Sequence, residues 1–333
     1  MADTLLIVVG LALVVTVYVD ALATTLTMGG AGPVTRSVLP PVWRLLLRVH
    51  RPDTRSRVLT GAGAALLFGT VLIWVAGLWA GWTLVFLGTD SVVDAQTSAA
   101  AGVADVAYFA GFTVFTLGVG DYVASDPGAR LLTALASFCG LFLITLAITY
   151  LLSVVAAVVQ RRAIAVRINA LGRHAGEIVA NGWTGTSFSS AFVQQLVALS
   201  GQLTTTAEQH LAYPVLHYFR SREKHVAAPV TISRLDDAML LLQQGVAPAA
   251  RPDDSAVQPV RHAIHRYLET ASATSTGPQA ASPPPAPDLQ PLRSAEVPSV
   301  PDADFASQAE AEADRRRDLR RLVQSNGWSW PGG

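Results

Sequence analysis

The chain has 333 residues, half of them hydrophobic, and its 24 Lys and Arg are balanced by 24 Asp and Glu. Apolar runs of bilayer length in such a composition mark an integral membrane protein, and a net charge of zero excludes a whole-chain basic field for nucleic acid. The one cysteine, Cys139, excludes an intrachain disulfide and reads as a small buried hydrophobe inside an apolar run.

Residues 1–28 carry the first apolar run, from position 5. It is long enough to span a bilayer, and the leading MADT lacks the basic residues of a signal peptide, so a retained transmembrane helix is expected. Asp20 sits near its C-terminal end. The residue either pairs with an arginine or caps a helix end, or it serves gating or assembly. Residues 29–57 form a basic connector. GGAGP breaks the helix, and Arg36, Arg44, Arg48, Arg51, Arg55 and Arg57 place the connector in the cytoplasm. Within it VWRLLLRVH, residues 42–50, has the basic amphipathic pattern of a surface-lying helix.

Residues 58–162 hold a helix, a short broken apolar segment and another helix. The second span covers 58–88, with Trp74, Trp79 and Trp82 in its second half. Tryptophans there are expected at the outer interface, although packing is the better reading for Trp74. The stretch 89–130 carries Asp90, Asp94, Asp105, Asp121 and Asp126 against a single Arg130, which suits an outside face and an acidic, cation-concentrating mouth. Inside it lies DVAYFAGFTVFTLGVGDY, Asp105 to Tyr122, which is too short to cross a bilayer. Gly118 and Gly120 alternate with other residues. Such a backbone can alternate between right- and left-handed conformations and turn its carbonyls one way. Carbonyls lining a narrow pore replace the water around a cation, and non-helical backbone at membrane depth is tolerated where it lines a cavity.

The third span, 131–160, is by position the pore-lining helix. Gly140 lies on it, and serves there either as a hinge or for close helix packing. Thr145 and Thr149 share one helix face; they either face the pore or bond their own backbone. Arg161, Arg162 and Arg167 then mark the cytoplasm. The expected topology has the N-terminus outside, three spans with a re-entrant loop before the third, and the C-terminus inside. The fold class is therefore an all-α membrane protein with a helical cytoplasmic domain.

That domain covers residues 163–270, with helices near 162–181, 188–222, 230–244 and 257–270. It lacks βαβ patterning and a glycine-rich nucleotide turn. Its ligand or partner is left open. His262 and His265 are spaced to share a helix face, but no cluster completes a metal site. Residues 271–304, rich in Ala, Pro and Ser, are expected as a disordered linker. Residues 305–333 form a charged helix and a tail. The run Arg315 to Arg317 with Arg320 and Arg321 reads as a solvated face, and Trp328 and Trp330 suggest docking to the helical domain or to the membrane surface.

The hexapeptide Thr116-Leu117-Gly118-Val119-Gly120-Asp121 resembles the Thr-Val-Gly-Tyr-Gly-Asp selectivity filter of potassium channels. The order helix, pore helix, filter, helix over residues 58–162 is similar to the pore module of small bacterial and two-pore-domain channels. The resemblance implies that Thr116, Leu117, Gly118, Val119 and Gly120 coordinate the ion through backbone oxygens. It also implies that the Thr116 hydroxyl completes the innermost site, that Asp121 holds the outer mouth and that Gly140 is a hinge. Potassium is the permeant ion. One filter per chain and no internal repeat call for a homotetramer in the lipid bilayer. Leu117, Val119 and Phe115 depart from the usual Val, aromatic and Thr. These departures keep two alternatives open, a weakly selective cation channel and a non-conducting sensor or scaffold. Neither a phosphate-binding loop nor a nucleophile elbow is present, so no enzyme, catalytic residue, metal or cofactor is expected. Alanine- and arginine-rich, lysine-poor usage suggests a high-GC bacterium.

Overall fold

The computed structural model describes residues 2–49, 56–272 and 282–330. In chain order the elements are α1 (Ala2–Leu26), α2 (Pro33–Val49), α3 (Arg57–Thr89), β1 (Val92–Asp94), α4 (Val103–Val114), β2 (Tyr122–Ala124), α5 (Pro127–Leu171), α6 (Ala175–Gly182), α7 (Ser190–Ala212), α8 (Ala228–Leu240), α9 (Asp254–Ser272), α10 (Gln290–Ser294), α11 (Asp302–Ala311) and α12 (Ala313–Ser325). The protein is an all-α membrane protein. Among the described residues, Asp3–Leu26, Arg57–Thr89 and Pro127–Leu171 are long and apolar enough to cross a bilayer. The chain divides into two compact units, and α2, α3 and α5 contribute residues to both.

The first unit comprises the chain up to Val38 and Ala65–Ser153. α1 lies close against α3 because small residues meet there. A Cβ at Gly10 would stand 2.6 Å from the Gly81 carbonyl oxygen, and one at Gly88 would stand 2.6 Å from that of Asp3. Asp20 is fully buried and fully used. Its carboxylate accepts from the backbone N–H of Val34 (2.7 Å) and Thr35 (3.1 Å), the Thr35 hydroxyl (2.6 Å) and Trp74 Nε1 (2.7 Å). It therefore caps the start of α2, where the first amides have no partner within the helix, and ties α1 to α3. Trp74 is 1% exposed, the packing expected of it; Trp82, expected at an interface, is also 1% exposed and a core residue, while Trp79 reaches the surface of the unit.

The second unit comprises Leu39–Ala64 and the chain from Val154. α7 and α9 pack along each other, and α8 runs through the middle with every residue buried. That helix reads APVTISRLDDAML, polar enough to look like a surface helix. Its two carboxylates are neutralised from α12. Arg315 forks onto Asp236 and Arg316 onto Asp237, with the Arg316 Nε to Asp237 contact at 2.9 Å. The arginine run is thus a built ion-pair face, a correction to the solvated reading; Arg317, paired with Asp314, stays at the surface.

The linker expectation for 271–304 is also corrected over residues 282–304; residues 273–281 lie outside the described residues. Leu289, Leu292 and Val297 are buried in the core. Proline has no N–H but keeps its carbonyl, and Arg316 donates to the oxygens of Pro284 (3.0 Å) and Pro285 (2.6 Å). Arg320 does the same toward Ser282. On the basic connector the apolar side chains divide, with Val42, Leu45 and Val49 exposed and Trp43 covered. Trp43 is 2% exposed and donates to the Ser325 carbonyl at 3.1 Å, so protein rather than lipid takes it; Arg51 and Arg55 lie outside the described residues. Trp328 docks on Ala227, Val230 and Val323, with the Arg220 guanidinium 3.7 Å from its ring.

Candidate functional site

The site grows from α4. Asp105, at the third position of the helix, accepts from the Gly102 N–H at 3.1 Å and so closes its first turn. Phe109 through Val114 are buried, which seats the helix inside the unit. At its end the chain doubles back. Thr116 N–H donates to Thr113 O (3.1 Å) and Leu117 N–H to Phe112 O (2.8 Å).

The next residues have an alternating backbone. φ is +57° at Thr116, +58° at Gly118 and +86° at Gly120, while Leu117 and Val119 keep negative φ. Gly adopts the left-handed region freely, but a β-branched Thr does so at a cost of roughly 1–3 kcal/mol, so its turn hydrogen bonds must hold it. The whole strand from Thr116 to Asp121 is exposed, including the apolar Leu117 (71%) and Val119 (56%).

Several side chains brace this strand, none of them singled out by the hexapeptide. Trp79 donates to the Ala107 carbonyl (2.8 Å), lies under Gly111 and meets Phe115 at 6.2 Å between rings. The Tyr108 hydroxyl faces the Asp121 carboxylate, and the Tyr122 hydroxyl faces that of Asp105. Tyr108 and Tyr122 meet edge to face. The two crossed pairs join α4 to the end of the Thr116–Asp121 strand. β1 and β2 pair antiparallel, Val92 opposite Ala124, and Ala95 N–H donates to Asp121 O at 2.9 Å. The aromatic support that Val119 lacks therefore comes from α4 and β2. The visible signal was the Gly102–Asp105 cap and the aromatic spacing of α4.

On α5, Ser137 donates to the Thr113 carbonyl at 3.0 Å. A Cβ at Gly140 would fall 1.8 Å from the Val114 oxygen, so the close-packing role expected of this glycine is present at the end of α4. Thr145 and Thr149 lie further along α5, exposed, with hydroxyls donating to Leu141 O (2.8 Å) and Thr145 O (3.0 Å). The structure thus gathers Thr116–Asp121, α4 and Gly140 into one assembly and leaves both threonines outside it.

In the second unit, His265 pairs with Glu269 on the exposed side of α9. Among the described residues no group of three or more His, Cys, Asp or Glu stands ready for a metal ion. The notable histidines are instead His210 and His217, both buried, with rings 6.3 Å apart and Tyr267 beside His210. Burial and the nearby Arg161 charge push His217 down to about 3, and His210 is held well below its ordinary value for the same reasons.

A helix, a re-entrant helix ending in an alternating backbone strand, and a second helix packed on it define an ion-channel pore module. Residues 62–157 match the family model described as "Ion channel". The chain belongs to the potassium-channel pore-module family. Over its full length it is similar to the uncharacterized membrane protein YdjJ of Bacillus subtilis (strain 168), with 32% identity across 98% of this chain and 95% of the relative. No solved structure matches the chain.

Proposed function

We propose that the protein is a passive potassium channel in which four copies each contribute the strand Thr116–Gly120 to one filter. The alternation of φ at Thr116, Gly118 and Gly120 carries this reading, because it is the conformation that turns successive carbonyls toward one side. One exposed strand cannot surround an ion. Its exposure, with that of Leu117 and Val119, fits a surface awaiting neighbouring copies. Each ion sheds its water against backbone oxygens, and the Thr116 hydroxyl adds the innermost one. Asp121, held by Tyr108, sets the outer mouth. Gly140 lets α5 lie against α4, and its lack of a side chain leaves α5 free to bend there. Thr145 and Thr149 line the pathway below. Three crossings leave the N-terminus outside and the arginines at 36, 44, 48, 57, 161 and 162 in the cytoplasm.

Flux from liposomes holding the purified chain, under potassium and sodium gradients in parallel, tests the reading. Potassium flux without sodium flux supports it; equal flux of both ions supports the weakly selective reading, which Val119 in place of an aromatic favours. Absence of flux from the unmodified chain across pH and voltage sinks it.

A further inference from the structure

We infer that the cavity between the start of α6, helix α8 and the proline-rich segment before α10 binds a small organic carboxylate with a flat, apolar body. The cavity measures about 520 Å³, within the range of small-molecule pockets, and all of its lining belongs to the second unit.

Arg234 supplies the charge. It lines the cavity and is 6% exposed. Both of its described bonds come from Nη1, to Asn169 Oδ1 (3.0 Å) and the Gly172 carbonyl (3.1 Å), and both acceptors are neutral. Its buried Nε has no partner among the described residues. Burial holds the guanidinium below its ordinary value, and the Glu177 charge offsets that only in part. Amide oxygens satisfy hydrogens but leave a buried positive charge uncompensated, which is costly. A carboxylate is a planar partner that a guanidinium fork fits.

A second set of donors opens on the same space. Residues 174–177 line the cavity, and His174 precedes α6 without a side-chain cap. The amides of Ala175, Gly176 and Glu177 donate to no described residue. Such N-terminal amides favour an anion.

The carboxylates of the wall already serve the protein. Asp237 meets Arg316 Nε at 2.9 Å, Glu177 Oε2 accepts the Arg173 N–H at 2.7 Å, and the exposed Asp288 accepts the Gln290 N–H at 2.8 Å. None of them is bonded to Arg234. Pro285, Pro287, Pro291 and the half-buried Trp330 add apolar surface on which a flat ring can lie.

The test is isothermal titration calorimetry on the full chain in neutral detergent and a carboxylate-free buffer. Four probes separate the contributions. Indole-3-acetate carries ring and carboxylate, tryptophan adds an ammonium group, tryptamine has the ring without the carboxylate, and acetate has the carboxylate without the ring. The variants are Arg234→Met, Trp330→Ala and, as a control outside the cavity lining, the exposed Arg222→Gln. Indole-3-acetate is expected to bind at least about tenfold more tightly than tryptamine or acetate. Arg234→Met should weaken it by about tenfold or more, as loss of a charge-assisted contact predicts, and Trp330→Ala by about threefold, with Arg222→Gln unchanged. Tryptophan that binds as tightly as indole-3-acetate, with the same response to the variants, supports the site and extends it to amino acids. Tryptamine or acetate that matches indole-3-acetate, no binding of either indole carboxylate, or wild-type affinity in both variants overturns it. Trp330→Ala carries the test if Arg234→Met does not fold. The readout is heat of binding, so it stands apart from conduction.

Discussion

The filter strand and helix α8 solve opposite problems with opposite materials. At Thr116–Gly120 the sign of φ alternates along the backbone, and the surface is open. In α8 the backbone is ordinary helix and the side chains carry the load: Asp236 and Asp237 are each ion-paired, and the buried Arg234 donates to Asn169 and to the Gly172 carbonyl. A site made of backbone is defined by where glycine permits a turn. A core made of charges is defined by which distant residue supplies the partner.

The sharpest way to break this comparison is at Gly118. A Cβ there meets no neighbour, so Gly118→Ala should fold; yet φ of +58° strains any L side chain. Potassium flux from liposomes should vanish while the protein stays intact in size-exclusion chromatography. The matching change in the second unit is Arg316→Ala. Removing one partner of a buried pair leaves Asp237 uncompensated and should cost about 3–5 kcal/mol in chemical denaturation of the full chain. A smaller loss, within about 1 kcal/mol, would mean that the pair is dispensable.

Asp20→Ala moves the test to the first unit, where one side chain does the work that several do in the second. Four donors lose their acceptor, and thermal unfolding in detergent should show a loss of roughly 1–3 kcal/mol or more. The last effect is graded by pH. His217 is held neutral in the fold, pushed down to about 3, whereas the unfolded chain takes up its proton near the ordinary value of 6.5. The unfolded state binds more protons across that window, so stability contributed by neutral burial is present above it and is lost as pH falls. The expected slope is about 1.4 kcal/mol per pH unit for each of His210 and His217. Replacing His217 by Phe should remove its share of the pH dependence below pH 6 and leave that of His210.

Much of the fold was legible because periodicity and bilayer length act locally. The three spans and the helices at 230–244 and 257–270 follow from apolar spacing that each segment carries within itself, whereas the helix expected over 188–222 stops at Ala212 before Pro214, and the one over 162–181 divides between the end of α5 and α6. The left-handed backbone at Gly118 and Gly120 was legible for the same reason. The errors fell where a partner came from far along the chain. Composition alone made 282–304 a linker, but Arg316 and Arg320 bind its proline-rich carbonyls. The same arginines looked like a solvated face because Asp236 and Asp237 lie 79 positions earlier. The pairs Tyr108–Asp121 and Asp105–Tyr122 were equally invisible, being made of ordinary residues that meet only once α4 and the filter fold together.

The sequence by itself determined that this is a membrane protein with a pore loop, since bilayer-length apolar runs and alternating glycines act through solvent transfer and backbone sterics at each position. The tertiary structure alone decided what braces the filter, what Asp20 caps and how a charged helix becomes the centre of the second unit. Hydrogen bonds and ion pairs depend on distances of a few ångströms, and only the folded chain sets those distances between residues far apart in sequence.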